Sequence, residues 1–320
     1  MNKTSKYLLL SLLFNCITPV QAGVTYNQKY YDFRVGDNDI TMGYSWLNLE
    51  NKPNIIKFSI DKIDVAKSYI DFKRPNDDIA LSFIYNKLQN DIKEINESQN
   101  SYKVKLTRQE GSREFSFIVV GDVDDLLVER LKDALDKRQE KYLKDYFYEY
   151  YYIWNENDKL ISIDYTRITE AYIGKMTNVA QAFKDKNNRN MYDTRSVVND
   201  IIEFYQSIPY DTLLEDRGAG FSTPLRLLHE NKGDCDTKLV AIASTLKALY
   251  PNMQIIAIVL PKHVLIGMKI PYTREDLKMM HNGEPYVLAE TAGPGLLPIG
   301  EIAEESAAIM RMGLHSVIEL

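Results

Sequence analysis

The sequence predicts an α+β protein: a helix that carries a cysteine, packed on an antiparallel sheet and preceded by a mixed, β-rich N-terminal domain. Three observations predict it. Short runs that alternate at period two recur through the first half of the chain. The second half shows helical spacing followed by three apolar, strand-length runs. Cys235 stands directly after Gly233-Asp234, where a helix begins.

The chain has 320 residues, 45% of them hydrophobic and 26% charged. Those fractions exclude a disordered tail, a collagen-like fibre and a disulfide-stapled miniprotein, and the length accommodates two domains. Lys and Arg total 39 against 45 Asp and Glu, a net charge of -6. That acidic balance argues against nucleic acid as a partner.

Lys3 and Lys6 precede an apolar run from Tyr7 to Val20, and Val20-Gln21-Ala22 presents the small or aliphatic residues that a signal peptidase reads. Residues 1–22 therefore read as a signal peptide cut after Ala22, which places the protein in the periplasm or outside the cell. The run is short for a membrane span, and no later stretch is apolar for long enough to be an integral membrane segment. Leu13-Phe14-Asn15 lacks the small residues of a lipoprotein signal. The leader carries two lysines and no acid, so its removal takes the charge from -6 to -8. Cys16 leaves with it, and Cys235 becomes the single thiol. A lone thiol in an oxidising compartment is either buried filler or a functional nucleophile.

Residues 23–165 form the expected β-rich domain. Ile56 to Ile60 and Tyr102 to Leu106 alternate, and Phe115 to Phe117 after Glu110-Gly111-Ser112 makes 102–120 a hairpin. Asp122 is placed to cap a helix whose apolar face holds Leu127, Leu131, Ala134 and Leu135. The aromatic run Tyr146 to Trp154 reads as packing between domains, and Leu160 to Tyr165 as a strand. Residues 166–190 read as a helical connector, ending in the polar linker Lys184 to Asn190.

Residues 191–320 carry the chemistry. Asp193 caps a helix with Val197, Val198, Ile201, Ile202 and Tyr205 on one face, and Gly218, Gly220 and Pro224 mark a loop. A short helix begins at Leu225. A longer one runs from Cys235 to Tyr250 and stops at Pro251. Gln254 to Leu260, His263 to Ile270 and Tyr286 to Thr291 read as strands, and Glu301 to Met312 as a closing helix.

A free thiol is only a few per cent thiolate at neutral pH. A helix N-terminus at Cys235 and an imidazolium at His263 would both lower its pKa. An acid then fixes the imidazole tautomer, and Glu290 is the best placed, with Glu284 and Glu301 as rivals. His229, His281 and His315 are weaker rivals for the base. Asp234 and Asp236 flank the nucleophile as support for the oxyanion site or as helix-start acids, and as like charges they oppose thiolate formation unless one turns away or pairs with Lys238.

The ordered set Asp193 to Gln206, Ile208-Pro209-Tyr210, Ser222-Thr223-Pro224 and Gly233-Asp234-Cys235-Asp236-Thr237-Lys238 resembles the bacterial transglutaminase-like cysteine proteinases. Lys262 to Met268 looks like the family's histidine strand, and Val287 to Thr291 like its acid strand. The resemblance covers about residues 190–300. It implies a papain-like core and a Cys235–His263–Glu290 triad that cleaves an amide through a thioester. Glu290 stands where the family usually has Asp.

On that reading the substrate is a protein or peptide, cell-wall stem peptides included, and hydrolysis is the default because water is the ready acceptor. A transferase joining glutamine to an amine and a non-catalytic binding or scaffold protein remain alternatives. No cofactor is expected. There is no zinc spacing or phosphate-cradling loop, and Asp234 with Asp236 are too few oxygens for the calcium that related periplasmic members are thought to bind.

Overall fold

The structure is a computed structural model that describes residues 27–72, 76–108, 115–155, 160–187, 193–212, 221–292 and 295–320. The expected signal peptide with Cys16, the turn expected at Glu110-Gly111-Ser112, Gly218 and Gly220 lie outside the described residues. The chain forms two compact units, one of 27–72 with 164–320 and the other of 76–163. That division differs from the one expected at 165 and 190.

The physical reason lies in the first strands. β1 (Gln28–Val35), β2 (Asp39–Leu47) and β3 (Pro53–Asp61) form an antiparallel meander. β2 alternates strictly and buries Ile40, Met42, Tyr44 and Trp46. Tyr44, Trp46 and β3's Phe58 surround the ring of Phe204 at 4.9, 5.4 and 6.4 Å between centroids. Phe204 belongs to the cysteine-bearing half of the chain. The meander thus shares its core with residues about 150 positions away, which composition cannot reveal. Helix α1 (Lys62–Asp71) follows, capped by Asp61.

The unit of 76–163 is largely helical, and the strands of the expected mixed, β-rich region 23–165 lie mostly in β1–β3. It holds α2 (Asp77–Ser98), the hairpin β4 (Tyr102–Arg108) and β5 (Phe115–Gly121), α3 (Asp125–Glu149), and a short hairpin of β6 (Tyr152–Asn155) and β7 (Leu160–Ile163). Leu81, Ile84, Leu88 and Ile92 of α2 form a stripe that packs on Val104, Phe115, Phe117 and Leu135. Asp124, not Asp122, caps α3, accepting the Leu127 N–H at 2.7 Å. On the outer edge of β4, Asn96 bonds both the N–H and the carbonyl of Val104, and Gln99 does the same for Tyr102. Side-chain amides there stand in for a neighbouring strand. The aromatic run ends α3 and forms β6. Its rings pack inside this unit, Tyr146 on Phe83 and Phe147 on Trp154.

The expected strand to Tyr165 stops at Ile163, because Asp164 caps α4 (Tyr165–Ile173). A 3-10 turn (Gly174–Met176) leads to α5 (Thr177–Lys186), so Lys184 to Lys186 are helical. Ile168, Tyr172, Val179 and Phe183 are buried, which makes this segment core and not connector. Then come α6 (Thr194–Ser207), α7 (Pro224–Glu230), α8 (Cys235–Leu249), β8 (Ile255–Leu260), β9 (His263–Met268), β10 (Lys278–His281), β11 (Glu284–Glu290), α9 (Glu304–Arg311) and β12 (Ser316–Glu319). The last five strands form one antiparallel sheet in the order β10-β11-β9-β8-β12.

That sheet is rolled. His281 at one edge bonds Glu319 at the other at 2.9 Å, and the Asn282 amide donates to the same carboxylate at 2.8 Å. One face, with Ile256, Ile258, Leu260, Leu265 and Leu288, packs on Ile309 and Met310 of α9. His281 therefore ends a strand, and the turn belongs to Asn282 and Gly283, both at positive φ.

Arg195 of α6 holds the loop before β10. Its guanidinium donates to both oxygens of buried Asp276 at 2.8 and 2.6 Å and to the Ile299 carbonyl at 3.0 Å. Arg195→Met is expected to cost about 3–5 kcal/mol in urea unfolding, because it strands a buried carboxylate. Arg195→Met with Asp276→Leu should recover most of that loss. Equal instability of the single and double variants would overturn this account.

Candidate active site

Cys235 is fixed by the turn that precedes it. Gly233 forms a parallel bridge with Tyr210, donating to Pro209 and accepting from Asp211 at 3.2 Å each. A Cβ on Gly233 would lie 2.7 Å from Leu227 Cδ1, so a larger residue there would have to displace the end of that buried side chain. Asp234 then caps α8, its carboxyl accepting the Thr237 N–H at 2.9 Å. The Thr237 hydroxyl accepts the Ser222 N–H at 2.8 Å, which ties the loop before α7 to the same turn. Cys235 is the first helical residue, and its thiol is buried and free. The Val264 and Asp236 backbone N–H groups bond its sulfur. The sulfur therefore meets the start of β9, at the residue after His263.

His263 and Glu290 share a face of the sheet, because Glu290 pairs with Leu265, two residues along from His263. His263 Nε2 and Glu290 Oε2 are 2.5 Å apart. Glu290 is 1% exposed, and its other oxygen accepts the Ala303 N–H at 2.9 Å and the Ser306 hydroxyl at 3.0 Å. Its backbone carbonyl accepts from Gln206 of α6 at 2.9 Å. With Nε2 committed to Glu290, Nδ1 is the ring nitrogen left for the nucleophile. Three of the rivals are engaged elsewhere. His229 Nδ1 meets the Tyr69 hydroxyl at 2.6 Å, His281 meets Glu319, and Glu284 pairs with Lys269 at 3.2 Å.

The flanking acids separate. Asp236 accepts the Tyr165 hydroxyl at 2.8 Å, and Lys238 donates to the Ile208 carbonyl at 2.6 Å. Tyr165, Ser306, Gln206 and Lys238 thus join the site although none was a candidate in the sequence. Only Asp164 hinted at Tyr165, as an acid placed to cap a helix.

Electrostatics overturn one expectation. Burial, then Asp236 and Asp234, push the Cys235 thiol well above its ordinary value, and the two N–H bonds do not offset them. The resting thiol is therefore protonated, since desolvation and two flanking carboxyls outweigh one helix terminus. Burial and then Asp236 push Asp234 well up. Burial also raises Asp236, while the Tyr165 hydroxyl and the charge of His263 draw it back. Glu290 behaves oppositely. Burial pushes it up, but His263, the Ala303 N–H and the Ser306 hydroxyl together hold it below the usual carboxylate value. Lys238 is 1% exposed, and burial pushes its ammonium down to about 7 against the pull of Asp234 and Cys235.

Among the described residues no group of His, Cys, Asp and Glu is arranged to hold a metal ion, and no helix is long and apolar enough to cross a membrane. The chain matches no protein-family model, no curated protein and no solved structure.

Lys238 gives a pH signature of stability. Unfolded, a lysine titrates near about 10.4, and folded Lys238 titrates at about 7. Between those values the unfolded chain holds a proton that the folded one lacks, so this group's contribution to stability rises with pH. Urea midpoints of the parent should therefore gain on those of Lys238→Met between pH 7 and pH 10. Parallel curves would remove the buried amine from the account.

Proposed function

We propose that this protein is a cysteine hydrolase with a transglutaminase-like, papain-like catalytic core that cleaves an amide bond in a protein or peptide. The observation that carries the reading is the His263–Glu290 bond beside a single thiol at the start of a helix. A carboxylate saturated by three donors fixes the imidazole in one orientation, which is the task of the third member of a triad. A cysteine-bearing helix beside an antiparallel sheet also agrees with the core that the family resemblance implies. The leader of residues 1–22 supports export to the periplasm or beyond.

The thiol is neutral at rest, so His263 acts as a general base at the moment of attack. His263 takes the Cys235 proton, the sulfur bonds the carbonyl carbon, and the carbonyl oxygen takes up negative charge. The Cys235 N–H at the first helical position has no carbonyl a turn earlier to satisfy it, and it is the candidate oxyanion donor. The imidazolium gives its proton to the leaving amine as the C–N bond breaks. Water, deprotonated by His263, then cleaves the thioester, and the proton returns to the thiol.

The buried, raised thiol is the observation that favours the second reading, a non-catalytic binding protein built on the same fold. Hydrolysis of a fluorogenic peptide library and alkylation by iodoacetamide separate the two. Cys235→Ala should abolish turnover and keep the fold. His263→Ala should lose about 10²–10⁴ in rate, and Glu290→Gln less. Cys235 should alkylate at pH 7 in the parent and lose that reaction in His263→Ala. Reaction that begins only above pH 8.5 and is the same in both proteins would establish the binding protein instead.

A further inference from the structure

Helix α7 has seven residues, too few to be stable on propensity alone. The nucleophile turn follows it at once. Asn231 leaves the helix at a left-handed φ of 54°, and Lys232 alone separates it from Gly233-Asp234-Cys235. The last carbonyls of a helix have no partner within it. In α7 two of them, on consecutive residues, are met from far along the chain. The Tyr44 hydroxyl donates to the Leu228 carbonyl at 2.5 Å, and the Tyr31 hydroxyl donates to the His229 carbonyl. These donors stand 184 and 198 positions before their acceptors.

The two tyrosines act as a pair. Tyr31 of β1 and Tyr44 of β2 lie opposite one another in the meander, with ring centroids 5.0 Å apart. That register brings both hydroxyls onto adjacent carbonyls. Gln28 of β1 exchanges two amide bonds with the Asn231 side chain, at 2.7 and 2.8 Å. The Phe33 ring packs on the His229 ring at 4.8 Å. At the other end of α7 the Thr223 hydroxyl donates to the Ser68 carbonyl of α1 at 3.1 Å. The meander and α1 thus hold both ends of α7 and its exit residue. β1 itself has no buried residue, yet its side chains end on α7 and Asn231. Tyr44 is 1% exposed, and a phenylalanine would fill its place in the core; the hydroxyl adds the bond to Leu228.

We propose that Tyr31 and Tyr44 are positioning residues for the nucleophile: their paired hydroxyls fix the last turn of α7, and through Asn231 they set where Cys235 stands against β9. Each link is a hydrogen bond or the chain itself. The hydroxyls fix residues 228 and 229, and Gln28 fixes Asn231. From there the chain runs through Gly233, pinned by Pro209 and Asp211 at 3.2 Å each, to Cys235. The consequence for catalysis rests on the triad of the proposed function. It gives the N-terminal strands a part in the site although none of their side chains touches the thiol, His263 or Glu290.

Hydrogen exchange of the full chain, read by mass spectrometry, follows the turn without any substrate. In Tyr31→Phe with Tyr44→Phe, the amides of 224–231 and of 233–237 should both exchange about tenfold faster than in the parent, because two helix-end carbonyls lose their donors. Those of 255–268, in β8 and β9, should keep the parent's rates. Gln28→Ala should speed exchange over 231–237 in the same direction. Should the double variant fail to fold, Tyr31→Phe alone, at a partly buried edge, is read in the same way. Faster exchange confined to 224–231 reduces the tyrosines to helix caps and overturns the proposal. Faster exchange that spreads through β8 and β9 is general destabilisation and overturns it too. Turnover of a fluorogenic peptide reads the consequence: kcat should fall about tenfold with KM unchanged, since the reacting atom is misplaced and binding is not. A parent-like kcat, or a rise in KM alone, counts against the role. A turn that loosens in a protein with neither turnover nor His263-dependent alkylation keeps the positioning of Cys235 and removes the hydrolase.

Discussion

A single buried carboxylate organises the cysteine-bearing unit. Glu290 ends β11 under the sheet, where a bare charge would be far too costly to bury. Three donors from two segments make it tolerable: His263 from β9, and the Ala303 N–H and the Ser306 hydroxyl from the start of α9. Its carbonyl adds a fourth tie, to Gln206 of α6. Satisfying one side chain therefore fixes the histidine, the start of α9 and the packing of α6 together.

The nucleophile turn is built by the opposite logic. Its backbone is crowded and heavily bonded, from Gly233 against Leu227 to Thr237 beneath Ser222. Yet its charges are poorly matched. Two acids flank the thiol, and Lys238, a cation in the same turn of helix, gives its bond to a carbonyl. Burial then decides which groups stay ionised. It raises Asp234, the thiol and Asp236 alike, and at Asp236 the Tyr165 hydroxyl works against it.

Much of the site was legible in the sequence, and less of the fold. Cys235, His263 and Glu290 follow local signals: a glycine-acid pair before a helix, and residues at the ends of apolar strands. The helices over 193–207 and 235–250 were legible for the same reason, their apolar stripes being wide. Helix α2 was missed because its stripe of Leu81, Ile84, Leu88 and Ile92 is narrow and diluted by polar neighbours. The strands β10 and β12 were missed because they are four residues long and lie at sheet edges, where burial imposes little pattern. The meander β1–β3 was assigned to the wrong neighbour. Its partner is Phe204, and a contact over that separation leaves no local trace.

The sign of the thiol's ionisation was the least legible feature, and it bears most on chemistry. Local sequence showed both influences, the helix terminus that favours a thiolate and the flanking acids that oppose it. It did not show burial, which tips the balance toward the acids. A thiol held protonated in a closed site reacts slowly with electrophiles and oxidants when no base assists it, because the thiolate is the reactive form. On the proposed reading, reactivity appears only when His263 removes the proton, and Glu290 favours that transfer by stabilising the imidazolium. The acids that look like an obstacle to catalysis then set its condition: the sulfur is inert alone and a nucleophile only in concert with the histidine.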